Sequence, residues 1–150
     1  MKRTLNNSSG SMTIKIMLGI IILILVVIAG LIVQPRMRMA KDAKSLQAVA
    51  DAQTLVMKIS TALKLYKLDN GVYPTTEQGL NALIKKPTVG MIPKSYKGDG
   101  YFVMKEIPKD PWGNAFVYDC PGSNGDFDLS SYGADGVKGG EGMNADIISR

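Results

Sequence analysis

The sequence contains no histidine and a single cysteine, Cys120. The first absence removes the usual general base, any imidazole metal ligand and any Ser-His-Asp arrangement. The second rules out an internal disulfide and leaves Cys120 without the histidine partner that activates a nucleophilic thiol. Glycine is plentiful, yet Gly133 to Gly136 and Gly139 to Gly142 lack the strand, lysine and helix that surround a phosphate-cradling loop. No enzyme is therefore expected. Acidic residues are missing from the first 35 positions, which hold the three bases Lys2, Arg3 and Lys15. The remainder carries 15 bases against 13 acids, a near balance that gives nucleic acid little to grip.

What the sequence has instead is apolar residues, strongly front-loaded. Ile16 to Val33 is a run of 18 residues with no charged, amide or hydroxyl side chain. At about 1.5 Å per residue it covers roughly 27 Å, the thickness of a bilayer core. A membrane-spanning helix over residues 11–35 is expected, since so short a chain has no second layer to cover such a helix on every side. A removable secretory signal fits less well. The run exceeds the usual signal core, and Gln34-Pro35-Arg36-Met37-Arg38 follows it in place of a small-residue cleavage site. Bases flank both ends, so charge alone leaves orientation open, and the short N-terminus is the easier end to keep in the cytoplasm.

Beyond the span the apolar period changes. Leu46, Val49, Val56, Ile59, Leu63 and Tyr66 recur at helical spacings and predict a continuing amphipathic helix, with a kink at Pro35. Asp69-Asn70-Gly71 supplies a left-handed cap, and Pro74 cannot continue the helix. Thr75 or Thr76 with Glu77 and Gln78 predicts a capped short helix through about Lys86. Strand-length pieces follow at Tyr101–Met104, Ala115–Tyr118 and Phe127–Leu129. A small sheet needs a hydrophobic surface, and the helix stripe is the one available. The expected fold is α+β: a long N-terminal helix, transmembrane in its first half and amphipathic in its second, with a small antiparallel meander packed on it. Asp110-Pro-Trp-Gly113 reads as a core turn anchored by a buried Trp112.

Charge is segregated within this domain. Lys85, Lys86, Lys94, Lys97, Lys105 and Lys109 crowd the middle, whereas residues 110–146 hold seven acids and only Lys138. Such asymmetry offers neighbouring subunits a means of orientation; a solvated face is the plainer explanation. Between Asp126 and Asp146, hard oxygen donors recur among glycines, as a Ca²⁺ loop requires and as ordinary turns also do; EF-hand spacing is absent.

Longer motifs carry a resemblance. Leu65-Tyr-Lys-Leu-Asp-Asn-Gly-Val-Tyr-Pro-Thr-Thr-Glu-Gln-Gly-Leu80, Ile107-Pro-Lys-Asp-Pro-Trp-Gly-Asn114, Pro121-Gly122, Phe127-Asp-Leu-Ser-Ser-Tyr-Gly-Ala-Asp-Gly136 and Asn144-Ala-Asp-Ile147 resemble the major pseudopilin family of the type II secretion system. The resemblance implies a single-pass inner-membrane subunit whose C-terminal domain, residues 36–150, lies in the periplasm. It implies extraction into a short filament that helps drive folded proteins across the outer membrane. Implied partners are other copies of the chain, minor pseudopilins, the inner-membrane assembly platform, a prepilin peptidase and membrane lipid. Implied too is calcium in the C-terminal loop, with Asp135 and Asp146 as side-chain ligands, Asn144 as a contributor and Tyr132 as a main-chain donor. The basic leader would be residues 1–10, cleaved after Gly10.

The N-terminus departs from that pattern. Ser11 follows Gly10 where the family often has an aromatic residue, and Lys15 stands where it has a glutamate. In the family that carboxylate pairs with a neighbouring subunit's amino terminus, which a lysine repels. Ala115 replaces a usual proline, and Met143 stands where an acid is common. Two other readings share the motifs: a type IV or competence pilin subunit, and a membrane-tethered calcium-binding domain that never polymerises. Lys15 favours the latter.

Overall fold

The computed structural model describes residues 8–123 and 125–149, with side chains from residue 12 onward except at position 35. Lys2 and Arg3 of the expected leader lie outside the described residues. One helix, α1 (Ser8–Asn70), 63 residues long, runs through both halves foreseen from the sequence, and position 35 is helical within it. The chain divides into two compact units, one ending at Ala43 and the other beginning at Lys44.

Among the described residues of the first unit nothing is covered. Every large apolar side chain from Met12 to Val33 is between 46 and 70% exposed. A helix apolar on all sides has no preferred face to bury and suits a surrounding of lipid or other helices. By length and composition it is long and apolar enough to cross a membrane.

The second unit is built on one face of α1. Ala52, Val56, Ile59, Leu63 and Tyr66 are buried there, at spacings of three, four and three after the first step of four. Leu46, assigned to the same stripe by sequence, is 71% exposed. Thirteen residues before Ile59, it sits about 140° round the helix from the core face. The helix ends as foreseen: Gly71 takes φ 82° and donates its N–H to the Lys67 carbonyl at 2.7 Å, while Asn70 Nδ2 donates to the Tyr66 carbonyl.

The expected short helix is cut down to a 3-10 turn, Leu80–Leu83. Its capping chemistry is present: Thr75 N–H donates to Gln78 Oε1 at 3.1 Å, and Gln78 N–H donates to Thr75 Oγ1 at 3.2 Å. Gly79, at φ 60°, then breaks the helical path, and the second threonine serves elsewhere. Thr76 Oγ1 accepts the Cys120 N–H at 2.8 Å and lies 3.2 Å from the Cys120 carbonyl, tying this turn to the sheet.

The sheet is a three-stranded antiparallel meander in the order β1 (Val117–Asp119), β2 (Asp128–Ser131), β3 (Ile147–Ile148). Val117 pairs with Ser130, and Ser131 pairs with Ile147. Two expected strands appear, each displaced toward the C-terminus, and β3 was not foreseen. The third expected strand, Tyr101–Met104, does not form. Tyr101 and Phe102 both direct their N–H groups at the Leu83 carbonyl, at 2.6 and 3.1 Å, which fixes them as a buried anchor rather than a ladder. Gly100, at φ 75°, permits that approach; a Cβ there would stand 2.7 Å from the same carbonyl oxygen. Tyr118 and Leu129 meet Ile59, Leu63, Tyr66 and Leu83 in one core, so the meander rests on α1.

Candidate functional site

Two places concentrate the expected functional residues: the apolar start of α1 and the C-terminal loop. Gly10 and Ser11 lie within the helical backbone that begins at Ser8, and Lys15 is helical and exposed.

The C-terminal loop is assembled by a carboxylate that sequence reasoning passed over. Asp110, 4% exposed, accepts N–H groups from Trp112 (3.1 Å) and Asn114 (2.7 Å) on Oδ1, and the Ser131 hydroxyl on Oδ2 at 2.6 Å. Asn114 in turn donates from Nδ2 to the Gly133 carbonyl at 3.0 Å. The Asp110–Asn114 turn thus grips the chain where β2 runs into the loop. Trp112, expected as the buried anchor, is only half-buried. The aspartate is the anchor because three donors converge on it, and the indole is free to lie at the surface. Its sequence signal was the Asp-Pro-x-Gly turn itself, in which the first side chain commonly caps the backbone that follows.

Past this grip, residues 132–136 run back to back with 140–146. Ala134 N–H donates to the Met143 carbonyl at 2.9 Å. Gly133 and Gly140 are required by this closeness. Each has a positive φ, and a Cβ would stand 2.7 Å from the Met143 oxygen at the first and 2.5 Å from the Asn144 oxygen at the second. Tyr132, Asp135, Asn144 and Asp146 therefore share one loop pair, with Asp135 and Asn144 exposed and Tyr132 and Asp146 half-buried. Each carboxylate takes one backbone donor: Val137 N–H on Asp135 Oδ1 at 3.1 Å, and Gly139 N–H on Asp146 Oδ1 at 2.9 Å. The second oxygen of each has no hydrogen bond among the described residues. All donors here are oxygens, which suits a hard cation. Among the described residues no three His, Cys, Asp or Glu side chains gather as a ligand group, so any cation held here would lean on amide and main-chain oxygens.

The domain also holds an aromatic cluster. Tyr66, Tyr96 and Tyr101 meet edge to face with centroids 5.1 to 6.3 Å apart. Burial, then Tyr101 and Tyr66, push the Tyr96 phenol up to about 12; burial likewise raises Tyr118, whose hydroxyl donates to the Pro74 carbonyl at 2.7 Å. Lys67 bridges to Asp126 at 2.7 Å and sits 4.6 Å above the Tyr73 ring; the Asp126 hydrogen bond raises its pKa. None of these groups is placed as a reacting centre.

An N-terminal helix apolar on every side, long enough to cross a membrane and continuing into a small meander domain, is the arrangement of the pilin-like class. Comparison with known proteins narrows the class. Residues 37–150 match the family model described as type II secretion system (T2SS), protein G. The type II secretion system core protein G of Pseudomonas aeruginosa is 46% identical over 139 residues, 93% of this chain and 92% of that protein. The Vibrio cholerae protein of the same description is 44% identical over 128 residues, 85% of this chain and 83% of its own. A crystal structure of the major pseudopilin from the type 2 secretion system of enterohaemorrhagic Escherichia coli superposes with a TM-score of 0.62 at 39% identity, covering 71% of this chain and 86% of that one. The chain belongs to the type II secretion system protein G family and is a structural pseudopilin, which sets aside the competence-pilin reading.

Proposed function

We propose that the chain is held in the inner membrane by the start of α1, with its domain in the periplasm, and polymerises into a short filament that drives export of folded proteins. What carries this reading is the unbroken exposure of Met12 to Val33: so much apolar surface is stable in lipid or against other helices and nowhere else. Trading the first for the second converts an anchor into a filament core. Gly19 and Gly30, with open space around their Cα atoms, allow close approach of neighbouring helices. The role is structural rather than catalytic. Cleavage after Gly10 by a prepilin peptidase precedes assembly, and minor pseudopilins and the inner-membrane platform are the further partners.

We also propose that Asp135 and Asp146, with Asn144 and the Tyr132 main chain, hold Ca²⁺. The ion would fix the loop that Asp110 and Asn114 position. It would do so by neutralising carboxylates rather than by any chemistry on a substrate.

The test is mass spectrometry of the mature N-terminus together with cross-linking in secreting cells. A chain beginning at Ser11 and a ladder of self-linked products are expected. An uncleaved, monomeric chain in cells that secrete normally would overturn the filament reading and favour a tethered domain, the outcome to which Lys15 points.

A further inference from the structure

The domain carries two exposed surfaces of complementary chemistry. The first is the turn that follows the Tyr101–Phe102 anchor. With its base fixed to the Leu83 carbonyl, the chain turns Val103, Met104, Lys105 and Glu106 outward; Val103 is 104% exposed and Met104 is 45% exposed. This turn belongs to the segment in which Lys85, Lys86, Lys94, Lys97, Lys105 and Lys109 outnumber Asp99 and Glu106. Val103 and Met104 together give the turn an apolar tip, and its base is tied to the core through the Leu83 carbonyl.

The second surface is a cleft of about 480 Å³ beside the sheet. Tyr73, Phe127 and Ile148 give it apolar walls, and Asp119, Asp128 and Asp146 stand around it. Asp126 is there too, paired with Lys67, Asp146 is taken by the proposed ion, and Lys64 and Lys138 line the same cleft, so the acid it offers a partner is Asp119. Asp119 is exposed and has no ion-pair partner among the described residues. Ile148, 60% exposed, lies on β3, one of the two edge strands of the sheet. No residue between 85 and 109 lines the cleft, so the two surfaces are separate patches of one domain.

We propose that the Val103–Glu106 turn of one copy seats in the Asp119–Asp128–Ile148 cleft of the next. The occupant is a second copy of this chain because the chain supplies both halves: an apolar tip within a lysine-rich segment, and an apolar cleft rimmed by aspartates. Contact between two unlike patches is heterologous, and a heterologous contact that does not close into a ring extends as an open helix. The docking therefore gives a polymer its direction, while the apolar helices supply cohesion. Charge sets the register and the rate of encounter more than the final strength. This inference rests on the proposed self-assembly and assigns to it one specific contact.

The experiment is cysteine cross-linking of the full chain in secretion-competent cells, with Cys120→Ser as background. A chain carrying both Val103→Cys and Ile148→Cys is expected to give a ladder of disulfide-linked multimers on mild oxidation, and either cysteine alone is expected to give none. Lys105→Glu or Asp119→Lys should each lower ladder yield about fivefold, the upper range for an exposed charge pair, and the double exchange should restore it. Added salt should weaken the signal of the chain that carries Val103→Cys and Ile148→Cys without a charge exchange. Positions 103, 105, 119 and 148 are exposed, so changes there leave the fold intact, and the half-buried Cys120→Ser is common to every chain compared. Filaments seen by electron microscopy without a 103–148 product overturn this docking and leave the pseudopilus reading standing. Absence of filaments from the unaltered chain overturns both.

Discussion

Met12–Val33 and Ala52–Tyr66 are stretches of the same helix, yet the first exposes every large apolar side chain and the second hides one stripe and wets the rest. Hydrogen bonding along the backbone is alike in both. The difference lies in what each has to satisfy: the first must be apolar in every direction, and the second must be apolar toward one core and polar elsewhere. Stability in the first is therefore spread over many interchangeable residues, whereas in the second it is concentrated in a few that cannot be exchanged. The contrast can be tested directly.

Its largest expected expression is at Asp110, which has no counterpart in the apolar stretch. Asp110→Ala leaves the buried Ser131 hydroxyl and the half-buried Trp112 and Asn114 N–H groups without their acceptor. A loss on the order of 4 kcal/mol in domain stability is expected from denaturant unfolding, with the C-terminal loop released. A loss under about 1 kcal/mol would show that water replaces the carboxylate and that the grip on the loop is dispensable.

A matched pair of leucines comes next. Leu63 is 0% exposed and Leu25 is 59% exposed. Leu63→Ala should cost about 3 kcal/mol of domain stability through lost burial and the cavity left behind. Leu25→Ala should leave domain unfolding unchanged, and a measurable effect there would mean that the two units do not unfold independently. Calcium gives a comparable but conditional effect. At an ion concentration near 100 times Kd, binding to the native loop alone adds about 2.7 kcal/mol, a rise in Tm on the order of 10 °C. Chelation should remove it, and Asp135→Ala should abolish the response. Melting curves identical with ion and with chelator would strike Asp135, Asn144, Asp146 and Tyr132 from the proposed ligands.

The two regions also differed in how much of them the sequence disclosed. The apolar run and the 52–66 stripe were legible because periodicity reports burial wherever a helix meets one uniform surrounding. Leu46 was misassigned because spacings of three accumulate rotation that only the core's position can correct. The meander was legible in outline, but its boundaries were not, since Tyr101 and Phe102 have strand composition and yet give both N–H groups to Leu83. Asp110 escaped notice for a related reason. A buried carboxylate in a turn looks the same in sequence as a solvated one, and only the arrival of Ser131, 21 residues later, distinguishes them. Recurrence of oxygen donors among glycines marked only the stretch from Asp126 to Asp146, and the resemblance singled out Asp135, Asn144 and Asp146 within it; they lie on one loop pair.

The smallest expected effect at neutral pH concerns the tyrosine cluster, and it inverts the usual result of trimming a core. Tyr96 Oη is buried with no hydrogen-bond partner among the described residues, so the phenol contributes its ring and carries an unsatisfied hydroxyl. Its folded pKa, pushed up to about 12 by burial, exceeds the unfolded value of 10.0. Both states are neutral below pH 10, so the full stability is present there. As pH rises from 10 toward 12 the unfolded chain ionises first, and stability falls. Tyr96→Phe should therefore leave Tm at neutral pH unchanged or slightly higher, since no bond is lost and an orphaned donor is removed. It should also flatten the decline in Tm between pH 10 and 12, leaving the part due to Tyr66 and Tyr118, whose phenols burial also raises. A clear loss of stability at neutral pH would instead place a bound water on Tyr96 Oη.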